Sequence, residues 1–314
     1  MPIEKSLINS FIKSTEWGAY GASTYKGKND KIAADKAAVD YMRKELNKID
    51  MKGKIVIGEG EMDEAPMLYI DENVGTKNGE EFDIAVDPLE GTNFTAENLP
   101  NALSVLAVAK KGTLLRAPDM YMEKIAVGPN LPKNIIDLDF GVKKNILLLA
   151  EAKNVRPHEL TACVLKRPRH NFIVNALNEM GVKIKFITDG DVSGVIAVGY
   201  PEKKIDIYMG TGGGPEGVLA ASALKCLGCQ MQTRLSFQDD EEKNRAKNFG
   251  IKQLNMKYFI NDMVKEDVIF CATGVTDGDF VQGIKDLGNS FSSETLVLHY
   301  SSKVNTIYKN HTKK

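Results

Sequence analysis

Two carboxylates, Asp87 and Glu90, stand three residues apart around Pro88 in Ala85-Val86-Asp87-Pro88-Leu89-Glu90-Gly91-Thr92. An apolar run at residues 84–86 leads into them, so the segment reads as the end of a strand. Pro88 fixes its φ and has no backbone donor, which predicts a turn there. Gly91 tolerates the φ values a tight turn demands. Both carboxylates can then face one hard divalent cation, which takes oxygen ligands and keeps positions for water and phosphate. Thr92 places a hydroxyl beside it. A solvated turn is the plainer reading of Asp-Pro alone. Against it stands a second acidic segment, Gly58-Glu59-Gly60-Glu61-Met62-Asp63-Glu64, after another apolar run at residues 54–57. Glu59 between two glycines suggests backbone bent to reach into a cleft, whereas Glu61, Asp63 and Glu64 cannot all face one metal. Together the two segments imply metal-assisted hydrolysis of a phosphate ester.

Three further clusters sit between apolar runs. Thr211-Gly212-Gly213-Gly214-Pro215-Glu216-Gly217 joins a strand to a helix, and a glycine run before a helix N-terminus cradles anions. It is neither G-x-x-x-x-G-K-[ST] nor G-x-G-x-x-G. Glu216 makes sense in such a cradle if a cation separates it from phosphate. Asp189-Gly190-Asp191 is an acidic turn suited to accepting hydrogen bonds from sugar hydroxyls. Lys166-Arg167-Pro168-Arg169-His170 gathers up to four cationic groups in five residues. It is either a solvated basic patch or a clamp for a second phosphate, which arginine pairs with bidentately. Asp35, at a predicted helix start, is by default a charge favourable to the helix dipole.

These residues need elements to hold them. Residues 32–50 read as a helix, with Val39, Met42, Leu46 and Ile49 on one apolar stripe. Residues 137–150, 168–180 and 215–227 read as further helices, and residues 65–70 can start another. Short β-rich runs at 54–57, 82–86, 102–108, 184–187, 205–209, 230–235 and 268–272 read as strands. The alternation argues for a layered α/β architecture. Pro157 and its polar surroundings, residues 153–159, mark the best boundary, dividing 1–155 (metal-binding and catalytic) from 156–314 (sugar-phosphate-binding). The residues around Lys309 and His311 to Lys314 read as a frayed, solvated basic end.

Composition narrows the class. The 314 residues carry a net charge of −1, which excludes a global basic footprint for nucleic acid or an anionic membrane. No apolar run approaches the roughly 18 residues of a membrane span, and residues 1–13 do not read as a signal peptide, so a cytoplasmic protein is expected. The four cysteines make no disulfide framework in a chain this long, and Cys226-Leu227-Gly228-Cys229 lacks the second pair a zinc site needs. The four histidines, 158, 170, 299 and 311, are scattered. Any metal is therefore held by carboxylates.

At family level the chain resembles the class II (GlpX-type) fructose-1,6-bisphosphatases, within the lithium-sensitive, magnesium-dependent phosphatases that include inositol monophosphatase. The segments at residues 58–69, 83–92, 117–124, 189–192, 212–218 and 272–278 carry the resemblance, in family order through nearly the whole chain. The resemblance implies a layered α-β-α-β-α sandwich of two tightly packed lobes. It implies Mg²⁺ or Mn²⁺ on Asp35, Glu59, Asp87, Glu90 and Glu216, lifting Asp35 from its default role because residues 31–35 match. Thr92 would position the attacking, metal-activated water, with Asp35 or Glu59 as its acidic partner. Lys31, Glu90, Gly91, Thr92, Tyr121, Arg167, Pro168, Arg169, Asp189, Gly190, Asp191 and Gly213 would line the substrate. Arg167 stands where the family commonly reads Lys, and Gly214 where it commonly reads Ala.

The expected activity is hydrolysis of the 1-phosphate of fructose 1,6-bisphosphate, a gluconeogenic step, by a homodimer or homotetramer. Sedoheptulose 1,7-bisphosphate could also fit. A phosphatase of inositol or nucleotide phosphates would not need Arg167 and Arg169. A non-enzymatic phosphosugar-binding protein is the rival from another class.

Overall fold

The computed structural model describes residues 2–58 and 68–314. In chain order it opens with α1 (Ile8–Ser23), α2 (Lys31–Leu46), β1 (Met51–Ile57), β2 (Asn73–Val74), β3 (Glu80–Glu90), α3 (Thr92–Glu97) and β4 (Leu103–Lys110). Then follow β5 (Tyr121–Val127), α4 (Gly141–Lys153), β6 (Thr161–Leu165), α5 (Asn171–Glu179), β7 (Lys183–Ile187), α6 (Asp191–Ile196), β8 (Ile207–Gly213), α7 (Gly214–Leu227), β9 (Gln230–Leu235), α8 (Asp240–Asn248), β10 (Tyr258–Phe259) and α9 (Ile260–Met263). The chain closes with β11 (Val268–Gly274), β12 (Lys285–Asp286), β13 (Ser290–His299) and β14 (Val304–Lys313). Among the described residues the protein is mixed α/β with two sheets.

The contacts divide the chain into two compact units, one of Met1–Arg116 with Val264–Lys314, the other Ala117–Met263. The division expected at residue 155 therefore does not follow the packing. Strand pairing is the reason: β5 bonds to β8 and β9, whereas β11 returns to bond β4. Residues 153–159 only connect α4 to β6 inside the second unit.

The first unit is built on a sheet of order β12-β13-β11-β4-β3-β1-β2, with β14 against β13. β1 and β3 run parallel; β4, β11 and β13 alternate antiparallel. On α2 the stripe Val39, Met42 and Leu46 is buried in one cluster with Phe11, Ile55 and Ile84. Burying each such side chain stabilises the fold by about 2 kcal/mol. Helix α1 packs on α2 through glycine: a Cβ at Gly21 would lie 2.5 Å from the Ala37 carbonyl oxygen. The C-terminal residues are not a frayed end. β14 pairs with β13 over ten residues, from His299↔Val304 to Ser290↔Lys313, and His311 Nε2 lies 2.9 Å from Ser290 Oγ.

The second unit holds a sheet of order β10-β9-β5-β8-β6-β7. β6 lies parallel between β7 and β8, while β5 lies antiparallel between β8 and β9. Its core gathers Ile125, Val127, Ile146, Leu149, Val164 and Ile207. Cys163, Cys229 and Cys271 are buried thiols and Cys226 is half-buried; burial pushes Cys229 up to about 12. Among the described residues no helix is long and apolar enough to cross a membrane.

Candidate active site

In a regular strand, residues three apart point to opposite faces. Asp87 and Glu90 escape that rule through a bulge. On β3 Asp87 pairs with Val105 and Glu90 with Leu103, so three steps on one strand oppose two on the other. One extra residue restores a common side for both carboxylates. Pro88, which has no N–H to give to a ladder, sits inside the irregularity. The turn expected at Pro88 is thus a bulge within a strand that continues to Glu90. Carboxylate oxygens of Asp87 and Glu90 lie within 4.8 Å of each other; Asp87 is half-buried and Glu90 buried. Two oxygen donors this close, in largely water-excluded surroundings, suit a hard divalent cation, so the donor chemistry fits the expected group.

Directly after Glu90 the backbone turns left-handed at Gly91, with φ 84° and ψ 54°, and α3 begins at Thr92. Thr92 is thereby half-buried, one residue beyond the carboxylate pair. Asp35 lies one turn into α2 and is half-buried. The helix is capped by Asp30, whose carboxylate accepts from the Ala33 N–H at 2.9 Å. Lys31 is the exposed first residue of that helix. Glu59, the rest of its acidic segment and the helix start expected at residue 65 lie outside the described residues.

The second unit assembles its own set. The parallel strands β6, β7 and β8 end, respectively, at the basic turn, at Asp189-Gly190 and at the glycine run. In open α/β sheets, ligands bind outside the carboxyl ends of parallel strands. Tyr121 opens β5 opposite Gly213, at the same end. The Arg169 guanidinium lies 4.7 Å from the Tyr121 ring centroid, and its Nε and Nη2 donate to the Thr211 carbonyl at 3.1 and 2.7 Å. Arg167 is half-buried, donating to the Lys166 carbonyl, and Pro168 is exposed. Arg169, Tyr121, Gly213 and the turn at Asp189 thus belong to one end of one sheet.

Two expectations change here. His170 is not a surface cation: it is 1% exposed and held between two backbone groups. Asp191 does not offer a free carboxylate to a sugar. Its Oδ2 accepts from Lys124 Nζ and its Oδ1 from the Tyr208 hydroxyl, all three residues being buried. Lys124, missed in the sequence, carries its signal in alternation. Met122, Lys124 and Ala126 share one strand face, all buried, and a lysine at such a position needs an acid.

The glycines make room for neighbouring carboxylates. A Cβ at Gly212 would meet Asp191 Oδ2 at 2.2 Å, and one at Gly213 would meet Glu216 Oε2 at 1.9 Å. Glu216 stands in the first turn of α7, where the dipole favours a carboxylate. Burial nevertheless pushes its carboxyl above the ordinary range, Lys124 opposing and Asp191 and Asp119 adding to the rise. A divalent cation would relieve that burial penalty.

A family profile now joins the geometry. That for bacterial, glpX-encoded fructose-1,6-bisphosphatase matches residues 5–311. The chain belongs to this bisphosphatase family. Class 2 fructose-1,6-bisphosphatase of Haemophilus influenzae is 43% identical over 315 aligned residues, covering 96% of this chain and 94% of its own. Fructose-1,6-bisphosphatase 1 class 2 of Escherichia coli K12 is 42% identical, covering 96% and 93%. A solved structure, the extragenic suppressor protein SuhB of Bartonella henselae, aligns over 62% of this chain and 74% of its own, with 11% identity and a TM-score of 0.36. That last likeness is too distant to argue from. As a member of the bisphosphatase family, the chain is a metal-dependent phosphatase.

Proposed function

We propose that the protein hydrolyses the 1-phosphate of fructose 1,6-bisphosphate, releasing fructose 6-phosphate and phosphate. The observation that carries this reading is the bulge that turns Asp87 and Glu90 to one side immediately before the Gly91–Thr92 helix start. Asp87, Glu90, Glu216, Asp35 and Glu59 are the proposed holders of Mg²⁺ or Mn²⁺. When bound, such an ion neutralises charge on phosphoryl oxygens and lowers the pKa of a coordinated water.

The chain's own residues do the rest. The Thr92 hydroxyl orients the attacking water, and Asp35 or Glu59 accepts its proton. Arg167 and Arg169 hold the far phosphate, Arg169 steadied on Tyr121. Asp189 accepts hydrogen bonds from sugar hydroxyls; Asp191, already paired, fixes the start of α6 instead. Gly190, Gly213, Gly91 and Lys31 border the substrate. The protein works in the cytoplasm as a homodimer or homotetramer, in gluconeogenesis, and sedoheptulose 1,7-bisphosphate is its nearest alternative substrate.

The test is phosphate release from fructose 1,6-bisphosphate with Mg²⁺ or Mn²⁺, beside inositol 1-phosphate. Thr92→Ala should lower kcat on the bisphosphate by about 10²–10⁴-fold, the range for a group that handles the reacting proton or water. Preferential turnover of inositol 1-phosphate would sink the far-phosphate argument, and silence on both in metal-loaded protein would sink the enzyme reading.

A further inference from the structure

A histidine in a basic turn ordinarily adds charge; His170 does the opposite. It is 1% exposed, and its Nδ1 lies 2.7 Å from the Leu165 carbonyl oxygen. The Thr211 N–H donates to its Nε2 at 2.8 Å. Because Nε2 accepts, the single ring proton sits on Nδ1 and is donated to Leu165, so the imidazole is neutral and its tautomer set by its partners. Burial also lowers the pKa of the ring; Arg169 lowers it further, while the Leu165 and Thr211 peptides and Asp191 oppose the drop.

The Thr211 peptide is thereby gripped at both ends. Its N–H goes to His170, and its carbonyl accepts the two N–H groups of Arg169. Leu165 is the last residue of β6 and Thr211 lies near the end of β8, so the ring bridges two neighbouring strands just where the basic turn departs. Space is close: a Cβ at Gly210 would sit 3.3 Å from His170 Cε1.

We propose that His170 is a positioning residue for recognition of the second phosphate: a neutral strut that fixes the Arg167–Arg169 turn on the end of β8. The proposal rests on the reading that this turn holds the far phosphate of a bisphosphate. It assigns His170 to substrate affinity and not to the chemical step.

The experiment compares His170→Leu and His170→Gln on fructose 1,6-bisphosphate and on p-nitrophenyl phosphate, which has no second phosphate. In His170→Leu the KM for the bisphosphate should rise about tenfold or more, with kcat within about threefold, as expected when a clamp shifts by a fraction of an ångström. The kcat/KM on p-nitrophenyl phosphate should be unchanged. His170→Gln can accept from Thr211 and donate to Leu165, and should recover most of the affinity. Should the Leu variant not fold, His170→Asn, too short to span both partners, stands in for it against Gln. Equal losses on both substrates, or no loss on either, would overturn the proposal. A wild-type enzyme with no preference for the bisphosphate would overturn the underlying reading as well, whereas that preference together with indifference to His170 would overturn this proposal alone.

Discussion

Replacing Lys124 by Met should cost the second unit more than almost any other single change. The Lys124 side chain is 0% exposed and that of Asp191 8%. Removing one partner of such a buried pair costs about 3–5 kcal/mol, because the other charge is left without compensation. The expected loss is therefore about 3–5 kcal/mol against wild type. For a unit of about 150 residues such as Ala117–Met263, 1 kcal/mol corresponds to about 2–4 °C, so the melting transition should fall by roughly 6–20 °C at pH 7. Scanning calorimetry reads it directly. Adding Asp191→Leu and Tyr208→Phe removes the stranded acceptor and its hydroxyl donor, and should recover at least half of the loss. A drop below about 2 °C at pH 7, or a triple variant no more stable than Lys124→Met alone, would refute the reasoning.

Gly91→Ala should strain a backbone at φ 84° and place its methyl 2.8 Å from the Phe94 ring. Because Thr92 follows directly, kcat on fructose 1,6-bisphosphate should fall about tenfold or more, measured by phosphate release. A second outcome concerns acid stability. Burial raises the Asp267 carboxyl, but hydrogen bonds from His299, the Ile3 N–H and Ser301 outweigh it and hold the group well below the usual range. Folding therefore gains stability above the ordinary carboxylate pKa, and that gain is lost as pH falls toward the lowered folded-state value. Asp267→Asn should flatten this part of the stability–pH curve below about pH 4, read as urea midpoints at a series of pH values. An acid slope identical to wild type would count against the assignment.

Much of the site was legible because its chemistry depends on residue type and on strand ends. The stripe Val39, Met42, Leu46 marked α2, and the acidic pair at Asp87 and Glu90 was visible as a motif. The bulge that makes the pair work was not, since a proline between two acids reads equally as a turn. Helix α1 escaped notice because Gly18 and Gly21, poor helix formers, are there for close packing. Asp191 reads in sequence as an acceptor for sugar hydroxyls and His170 as one of four cationic groups. Nothing in local sequence shows that Lys124, 67 residues away, claims one, or that Thr211 and Leu165 grip the other. The division into units failed for a similar reason: β11 finds β4 across the whole second unit, a pairing no local pattern announces.

That long-range pairing also bears on how the protein is made. As the chain leaves the ribosome, the segment Ala117–Met263 emerges uninterrupted and can fold while synthesis continues. The earlier sheet cannot finish: β4 waits for β11, and β13 and β14 come later still. At about 5–20 residues per second the wait for β11 lasts roughly 0.5–2 s after Met263 is added. Throughout it β4, apolar but for Ser104 and Lys110, has an open edge able to pair with another chain. The nascent enzyme therefore passes through a stage in which its later-made unit is folded and its first-made one is still exposed to chaperones, proteases and its own neighbours on the polysome.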